Sequence, residues 1–261
     1  MRDNSIPVMD MSRTILSRIS TLPPDELNKE AVGLRTEKWV QRIGELQHKL
    51  YAEKKQALLV VLQGMDGSGK DGGVKSVFGG CSPTGVMVHA FKKPTDEELA
   101  HDFLWRVHKV TPKKGMIHIF VRSHYEDVLV PRVHNWISKD HTKNRIEAIN
   151  AFEELLRSDN KTVVLKFYMH TSRDEQKRQL QERIENPAKQ WKHNPADLEE
   201  SEHWNEYMRA YEDVINHSSI PWHIVPVDKR WYRDFVMAKI VCDTLVRMKP
   251  QLPTFKRGVE R

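Results

Sequence analysis

The chain has 261 residues, of which 39% are hydrophobic and 30% charged, as in ordinary soluble globular proteins of one or two domains. No apolar run approaches the eighteen or so residues of a membrane-spanning helix, and the N-terminal residues lack the apolar centre of a secretory signal, so we expect a cytoplasmic protein with no membrane partner. The net charge of +6 indicates a polyanionic partner, and the two cysteines, which form no CxxC, suggest neither a disulfide framework nor a zinc site.

The N-terminal part of the sequence predicts helices in front of a buried strand. The first twenty or so residues are polar and aperiodic, so we expect them to be loosely ordered. Good helix formers from Pro24 to Lys54 predict one or two helices outside a sheet, within an N-terminal helical extension of about residues 1–55. The continuous apolar run ALLVVL (57–62) is typical of a central parallel strand covered on both faces.

A glycine-rich loop, GMDGSGKDGG (64–73), follows this strand directly, and a helix is predicted to continue over 74–78. Glycines let successive backbone N–H groups converge on phosphate oxygens, and Lys70 would contact the transferring phosphoryl group. The pattern is short, but a strand before it and a helix after it are what phosphate binding requires. The glycines expected to form this cradle are Gly64, Gly67 and Gly69.

A carboxylate within the loop is the predicted metal ligand. Asp71 stands where such loops usually have the serine or threonine that holds magnesium. Asp66, four residues before Lys70, can reach the phosphates directly or through metal-bound water. At Asp71 a carboxylate is explained by the dipole of the helix that begins there. We therefore expect Asp66 to hold Mg²⁺, with Mn²⁺ as the alternative.

Four further strands are predicted downstream of the loop. The first is followed by Thr95 and Glu98, which have the spacing of a capping box and predict a helix from Asp96 to about Lys109. Strands that alternate with helices indicate an α/β fold of three layers around a parallel sheet of about five strands, in a single domain of residues 1–261. The predicted strands are 86–91, 116–120, 162–169 and 222–227.

A long charged insertion, about residues 172–217, separates the last two strands. Ser172 and Glu175 again have capping-box spacing and predict a helix over 174–184, and a further helix is expected over about 197–216. The insertion is polar and basic at its start and has few apolar stripes. This pattern is typical of a mobile lid that closes over a site.

The third predicted strand ends in RSHYED (122–127). Ligands of open α/β sheets bind at the carboxyl ends of the strands, so Arg122, Glu126 and Asp127 are expected to face the same crevice as the glycine loop. The fork of donors on Arg122 suits phosphate oxygens. We interpret Asp127 as the second carboxylate, either for the metal or for orienting an acceptor.

Five segments together resemble the polyphosphate kinase 2 family, and the resemblance extends from about Leu34 to Met248. Several long matches in the same order are far more specific than one phosphate loop. The segments are LQGMDGSGKDG (62–72), FKKPTDEELAHDFLWR (91–106), FVRSHYEDVLVPRVH (120–134), NPAKQWKHNPADL (186–198) and PWHIVPVDKRWYR (221–233).

The resemblance implies a thymidylate-kinase-like P-loop fold with a helical lid and Mg²⁺-dependent transfer of phosphate between inorganic polyphosphate and a nucleotide. The sequence RSHYED (122–127) is similar to the branch that phosphorylates both AMP and ADP. Val121 departs from the family, which commonly has Asp or Asn there, and this places more of the metal binding on Asp66 and Asp127.

The same resemblance implies roles for residues outside the loop. Residues implied at the phosphates, the metal or the nucleotide are Asp66, Lys70, Arg122, Asp127 and Arg132, with Glu126 beside them in the motif. The polyphosphate chain would follow Lys92 and Lys93, and the lid would contribute Arg178 and Arg183. We expect a homo-oligomer, either a dimer or a tetramer.

Two other functions remain compatible with the residues alone. The bare loop allows an ATP-dependent kinase of a small metabolite equally well. The basic charge allows a non-catalytic nucleic-acid-binding protein, but the basic clusters at 92–93 and 173–183 contain few of the aromatic residues that stack bases. We therefore expect inorganic polyphosphate and AMP, ADP or ATP as partners, and no nucleic acid.

Overall fold

The apolar run that begins at Ala57 forms the centre of a parallel sheet in the computed structural model, which describes residues 13–254. Within these residues the five strands lie in the order β2-β3-β1-β4-β5, and every pairing is parallel. At the middle of β1, Val60 is level with Ile119 on one side and with Leu165 on the other. The strands are Ala57–Gln63 (β1), Val86–Ala90 (β2), Ile117–Val121 (β3), Thr162–His170 (β4) and Trp222–Pro226 (β5).

Ten α-helices are described over the same residues, and they confirm an α/β fold with a central five-stranded parallel sheet. None of them is both long and apolar enough to cross a bilayer within residues 13–254. The helices are Lys29–Glu53 (α1), Lys70–Phe78 (α2), Asp96–Leu99 (α3), Trp105–His108 (α4), Glu126–Val133 (α5), Lys139–Ser158 (α6), Arg173–Glu185 (α7), Pro195–Glu202 (α8), Trp204–His217 (α9) and Arg230–Met248 (α10).

Successive side chains of a strand alternate between the two faces of the sheet, so both faces present apolar side chains on which helices pack. Leu58, Val60 and Leu62 of β1 pack into one apolar cluster with α1, α2 and α10. Leu59 and Val61 pack into a second cluster with α5, α6 and α9. All seven residues of β1 are therefore buried, as expected for a central parallel strand.

The helix predicted over 96–109 is wrong in its length. The capping box is present, since the Thr95 side chain accepts from the Glu98 N–H and the Glu98 side chain accepts from the Thr95 N–H, but α3 ends at Leu99. Further on, the Asp102 carboxylate accepts from the Leu104 N–H at 3.0 Å. This local bond competes with helical hydrogen bonding, and α4 is a separate short helix.

The expectation of a loosely ordered N-terminus is wrong for the residues just before α1. The Thr14 N–H donates to Asn216 Oδ1 at 2.7 Å, and the Leu16 N–H donates to Glu212 Oε1 at 2.8 Å, so both are bonded to α9. The Thr21 hydroxyl donates to Asp228 Oδ2 at 2.7 Å. Residues 1–12, on which the rest of this expectation falls, lie outside the described part of the chain.

The partly buried histidine of β5, His223, predicts a loss of stability in acid. Burial, together with the charge of Arg247, lowers the pKa of His223 to about 4. In the unfolded chain a histidine takes up its proton near pH 6.5, so the free energy of unfolding is fully retained above about pH 6.5 and falls as the pH is lowered towards 4.

We expect urea unfolding of His223→Gln to show a smaller loss of stability between pH 7 and pH 4.5 than the unmodified protein. The difference should be at most about 3 kcal/mol, from 1.36 kcal/mol per pKa unit. An identical pH dependence in the two proteins would contradict the assignment.

Candidate active site

The glycine loop joins the end of β1 to the start of α2, and two of its glycines are required by its shape. Gly64 has φ +151°, and a Cβ there would lie 2.7 Å from the Met169 carbonyl oxygen. Gly69, the N-cap of α2, has φ +80°, and a Cβ there would lie 2.5 Å from Arg233 Nη1. The loop is therefore pressed between β4 and α10 and leads directly into the N-terminus of a helix, as anion binding requires.

Lys70 is held inside this loop. Its Nζ donates to the carbonyl oxygen of Gly64 at 2.7 Å and to that of Met65 at 3.1 Å. Burial lowers the pKa of Lys70, and the nearby Asp66 carboxylate opposes that effect. The ammonium group is thus positioned at the loop by the backbone itself.

Asp66 and Arg122 form an ion pair at the loop. Arg122 Nη2 donates to Asp66 Oδ1 at 2.6 Å, and the two side chains are 36% and 26% exposed respectively, so both remain accessible from solvent. Burial raises the pKa of Asp66, but Lys70 and Arg122 together outweigh burial and lower it overall. Asp66 is therefore an ionised carboxylate beside the predicted phosphate cradle.

Glu126 is the second carboxylate that faces these cations. Its Oε1 accepts from Gln63 Nε2 at 2.9 Å, and Gln63 Oε1 accepts from the Ser123 hydroxyl at 3.2 Å. Burial raises the pKa of Glu126 overall, although Arg122 and the hydrogen bond from Gln63 oppose that rise. The end of β1 thus fixes the orientation of Glu126 towards Arg122.

Asp127 has a different set of charged neighbours. Its Oδ2 accepts from Arg106 Nη2 at 2.9 Å, and its backbone carbonyl oxygen accepts from Arg145. Burial raises the pKa of Asp127, and Arg106 opposes that rise. Successive residues of a helix point about 100° apart, which separates the surroundings of Glu126 and Asp127. That Asp127 shares a cation with Asp66 stays a prediction, and the geometry favours Glu126 for that position.

The insertion between β4 and β5 packs against the glycine loop. A Cβ at Gly67 would lie 3.3 Å from the Cβ of Gln179 in α7. Lys192, in the short 3₁₀ turn Gln190–Lys192, donates to Asp71 at 2.9 Å. Asp71 thus forms an ion pair with the insertion, and its charge also acts on Lys70.

Of the predicted lid residues, Arg183 lies nearer to the site than Arg178. The positive charge of Arg183 contributes to lowering the pKa of Asp66, and its guanidinium is bonded to Asp197 at 2.6 Å. Arg178 pairs with Glu175 one helical turn away, and its side chain is 59% exposed. Both arginines are held by carboxylates of the same insertion.

The remaining predicted cations are Lys92, Lys93 and Arg132. Lys92 and Lys93 are exposed, and the Lys92 carbonyl oxygen accepts from Arg106 Nη1 at 2.9 Å, which connects this segment to Asp127. Arg132 pairs with Asp213 of α9 and lines a cleft of about 790 Å³ between α5, α6 and α9.

Sequence reasoning missed two residues that shape the loop. Gln63 anchors Glu126, and Arg233 of α10 is buried with Nη1 donating to the Gly69 carbonyl oxygen at 3.1 Å. The sequence offered one indication of them, since both lie near the ends of the segments 62–72 and 221–233. A single polar residue at the end of an apolar strand forms no recognisable pattern.

Comparison with known proteins covers nearly the whole chain. The sequence model described as Polyphosphate kinase 2 (PPK2) matches residues 26–253. An AMP/ADP-polyphosphate phosphotransferase of Meiothermus ruber is 46% identical over 224 residues, which are 85% of this chain and 84% of that protein. An ADP-polyphosphate phosphotransferase of Rhodopseudomonas palustris is 38% identical over 235 residues, covering 84% of this chain and 80% of that protein.

Solved structures agree with the sequence comparison. The crystal structure of Polyphosphate Kinase 2 from Arthrobacter aurescens TC1 superposes with a TM-score of 0.89 at 38% identity, covering 95% of this chain and 90% of that chain. The similarity therefore includes the sheet, the glycine loop and the insertion that covers it.

Because Arg233 lies close to the loop, adding one methyl group at Gly69 should strongly weaken phosphate binding. Gly69→Ala places a Cβ 2.5 Å from Arg233 Nη1 at a positive φ, so the guanidinium or the loop must move. We expect calorimetric affinity for inorganic tripolyphosphate to fall at least about tenfold, since the N–H groups no longer converge.

The matched control is Gly33→Ala in α1, where a Cβ meets nothing within 4 Å. It should leave the affinity unchanged and stabilise the protein by about 0.5–1 kcal/mol, because alanine loses less backbone entropy than glycine in a helix. Equal affinities in the two variants would show that the loop does not bind the anion.

Proposed function

The chain belongs to the polyphosphate kinase 2 family, and from that membership we propose that it transfers a terminal phosphate between inorganic polyphosphate and nucleoside mono- and diphosphates. The acceptors are AMP, which becomes ADP, and ADP, which becomes ATP. The observation that carries the proposal is the Asp66–Arg122 pair beside the glycine loop and Lys70. Relatives named for AMP/ADP and ADP phosphotransfer support this choice of acceptors.

The residues of the loop and the RSHYED turn bind and orient the phosphates. Backbone N–H groups of the loop and the Lys70 ammonium bind the phosphoryl group, and Arg122 neutralises charge on its oxygens. The phosphoryl group is transferred in line from one phosphate to the other, without a covalent intermediate. A strong general base is not needed, because the acceptor oxygen is already an anion near pH 7. His124, two residues after Arg122 in sequence, is fully buried and is not needed as an acid or base.

The donor set at the loop fits a hard divalent cation, Mg²⁺ or Mn²⁺. Asp66 is ionised, Glu126 faces the same cations, and the buried Ser68 hydroxyl has no hydrogen-bond partner among the described residues. Residues 13–254 contain no group of three or more His, Cys, Asp or Glu arranged for a metal. This fits Mg²⁺, which commonly binds one or two carboxylates and completes its shell with substrate phosphates and water.

When bound, the cation supplies neutralisation of charge on the phosphate oxygens. Asp66 would hold it, with Glu126 as the nearer second carboxylate and Asp127 fixing Arg106. Val121 is almost fully buried in the apolar core and its side chain has no oxygen, which is consistent with the reliance on Asp66.

We propose that the polyphosphate chain follows Lys92 and Lys93, which are exposed, together with Arg178 and Arg183 of the insertion. Arg132 would contact the nucleotide. We propose that residues 172–217 act as a lid within a single P-loop kinase domain, and that the active form is a homo-oligomer, a dimer or tetramer.

Product analysis tests the reaction directly. With polyphosphate and Mg²⁺, AMP should yield ADP and ATP, and ADP should yield ATP, as followed by chromatography. The Lys70→Ala variant should lose at least about a hundredfold in turnover, because it removes a phosphate contact.

Two outcomes would replace the proposal. Phosphorylation of a small metabolite by ATP, with polyphosphate inert, would favour an ATP-dependent kinase. Absence of all turnover, together with salt-sensitive DNA or RNA binding that survives Lys70→Ala, would favour a nucleic-acid-binding protein.

The two carboxylates of the predicted metal pair should respond differently to substitution. Asp66→Asn should lower kcat at least about a hundredfold with a Tm within a few degrees of the parent, because Asp66 lies at the surface of the site. Asp127→Asn should lower Tm by several degrees, because it removes the closer of the two carboxylates that pair with the buried Arg106 and leaves only Glu98 at 3.7 Å. Measuring kcat and Tm of both variants checks this. A hundredfold loss in kcat for Asp127→Asn with an unchanged Tm would instead indicate that Asp127 is a metal ligand.

A further inference from the structure

Lys166 and Glu153 form an ion pair with both side chains fully buried. Lys166 Nζ lies 2.6 Å from Glu153 Oε2, and neither side chain has any exposed surface. Lys166 belongs to β4 and Glu153 to α6, so the pair bridges the sheet and one helix layer. Burying two charges is expensive even when they are paired, and apolar residues of similar size are often at least as stable. Fold stability alone therefore does not account for this pair.

The pair is bonded to two consecutive residues of the RSHYED turn. The Tyr125 hydroxyl accepts from Lys166 Nζ at 2.7 Å and donates to Glu153 Oε1 at 2.9 Å. His124 Nε2 lies 3.2 Å from the same carboxylate oxygen, and both rings are fully buried. The residues between Arg122 and Glu126 are thus fixed to α6 and β4.

The backbone at Arg122 needs such support. Arg122 has φ +59°, a left-handed conformation that is unfavourable for a residue with a side chain. Conformations of this kind persist where the surroundings over-determine them. One constraint is the hydrogen bond from the Arg122 N–H to the Leu62 carbonyl oxygen at 3.0 Å. The bonds of Tyr125 and His124 to the buried pair supply constraints on the other side of the turn.

We propose that Lys166 and Glu153 are positioning residues, which act through Tyr125 and His124 to hold Arg122 against Asp66 and Glu126 against Gln63. The kinetic consequence rests on the proposed phosphotransfer. Burial raises the pKa of Glu153, but His124 and Lys166 outweigh it and lower that pKa overall, which keeps Glu153 an acceptor for all three donors. Burial lowers the pKa of Lys166, and the Glu153 carboxylate opposes that effect.

The first test removes the Tyr125 hydroxyl, which links the turn to the buried ion pair, and keeps the aromatic ring. Tyr125→Phe retains the edge contact with Trp222 and leaves Lys166 bonded to Glu153. We expect kcat to fall at least tenfold, KM for the nucleotide to change less than threefold, and Tm to stay close to that of the parent. The matched control is Tyr168→Phe, which removes another buried hydroxyl whose partner is the Met208 sulfur, and kcat should remain within threefold.

The second test removes the charges together. Lys166→Met with Glu153→Gln leaves no buried charge unpaired and keeps an amide for Tyr125 and His124, so the protein should fold. Positioning predicts a loss in kcat of at least tenfold at full folded fraction. A kcat within threefold of the parent in both Tyr125→Phe and the double variant would overturn the proposal, as would a loss that merely follows the unfolded fraction.

A readout without turnover separates this inference from the proposed function. Crystal structures of the parent and of both variants should show the Arg122 guanidinium within about 3 Å of Asp66 in the parent and displaced in the variants. If the parent transfers no phosphate, the function fails and these structures still decide the positioning role. An unchanged Arg122–Asp66 contact in the variants would refute it.

Discussion

The parallel pairing of β1 with β3 on one side and β4 on the other is the constraint on which the site depends. Because neighbouring parallel strands all point the same way, their carboxyl ends meet at one edge of the sheet. β1 delivers the glycine loop to that edge, β3 delivers Arg122, and β4 ends next to the start of the insertion at Ser172. Residues more than a hundred positions apart in sequence thus meet without any long irregular connection.

Charge at this edge is balanced locally. Lys70 and Arg122 are matched by Asp66 and Glu126, while Arg183 and Lys192 of the insertion are matched by Asp197 and Asp71. Such compensation lets several cations stand close together without strong mutual repulsion. A polyanion that binds here exchanges carboxylate partners for phosphate oxygens, which accept the same hydrogen bonds from the cations.

The sequence allowed the sheet and the loop to be predicted because both have strong local signals. An apolar run followed by glycines and a lysine has a direct physical interpretation, and β1 and the loop lie where it indicated. The different surroundings of Glu126 and Asp127 were not predictable, since they depend on Gln63 and Arg106, which are distant in sequence. The Lys166–Glu153 pair was not predictable either, because a lysine inside a strand pattern is normally interpreted as exposed.

The contact between Lys192 and Asp71 has a thermodynamic consequence for the insertion. Both side chains are partly exposed, at 35% and 67%, and ion pairs of this kind are worth less than about 1 kcal/mol. Taken alone, that pair favours the docked position of the 3₁₀ turn over an undocked one by less than about fivefold. Salt screens exposed pairs of this kind, so raising the ionic strength weakens the part of the docking that this contact contributes.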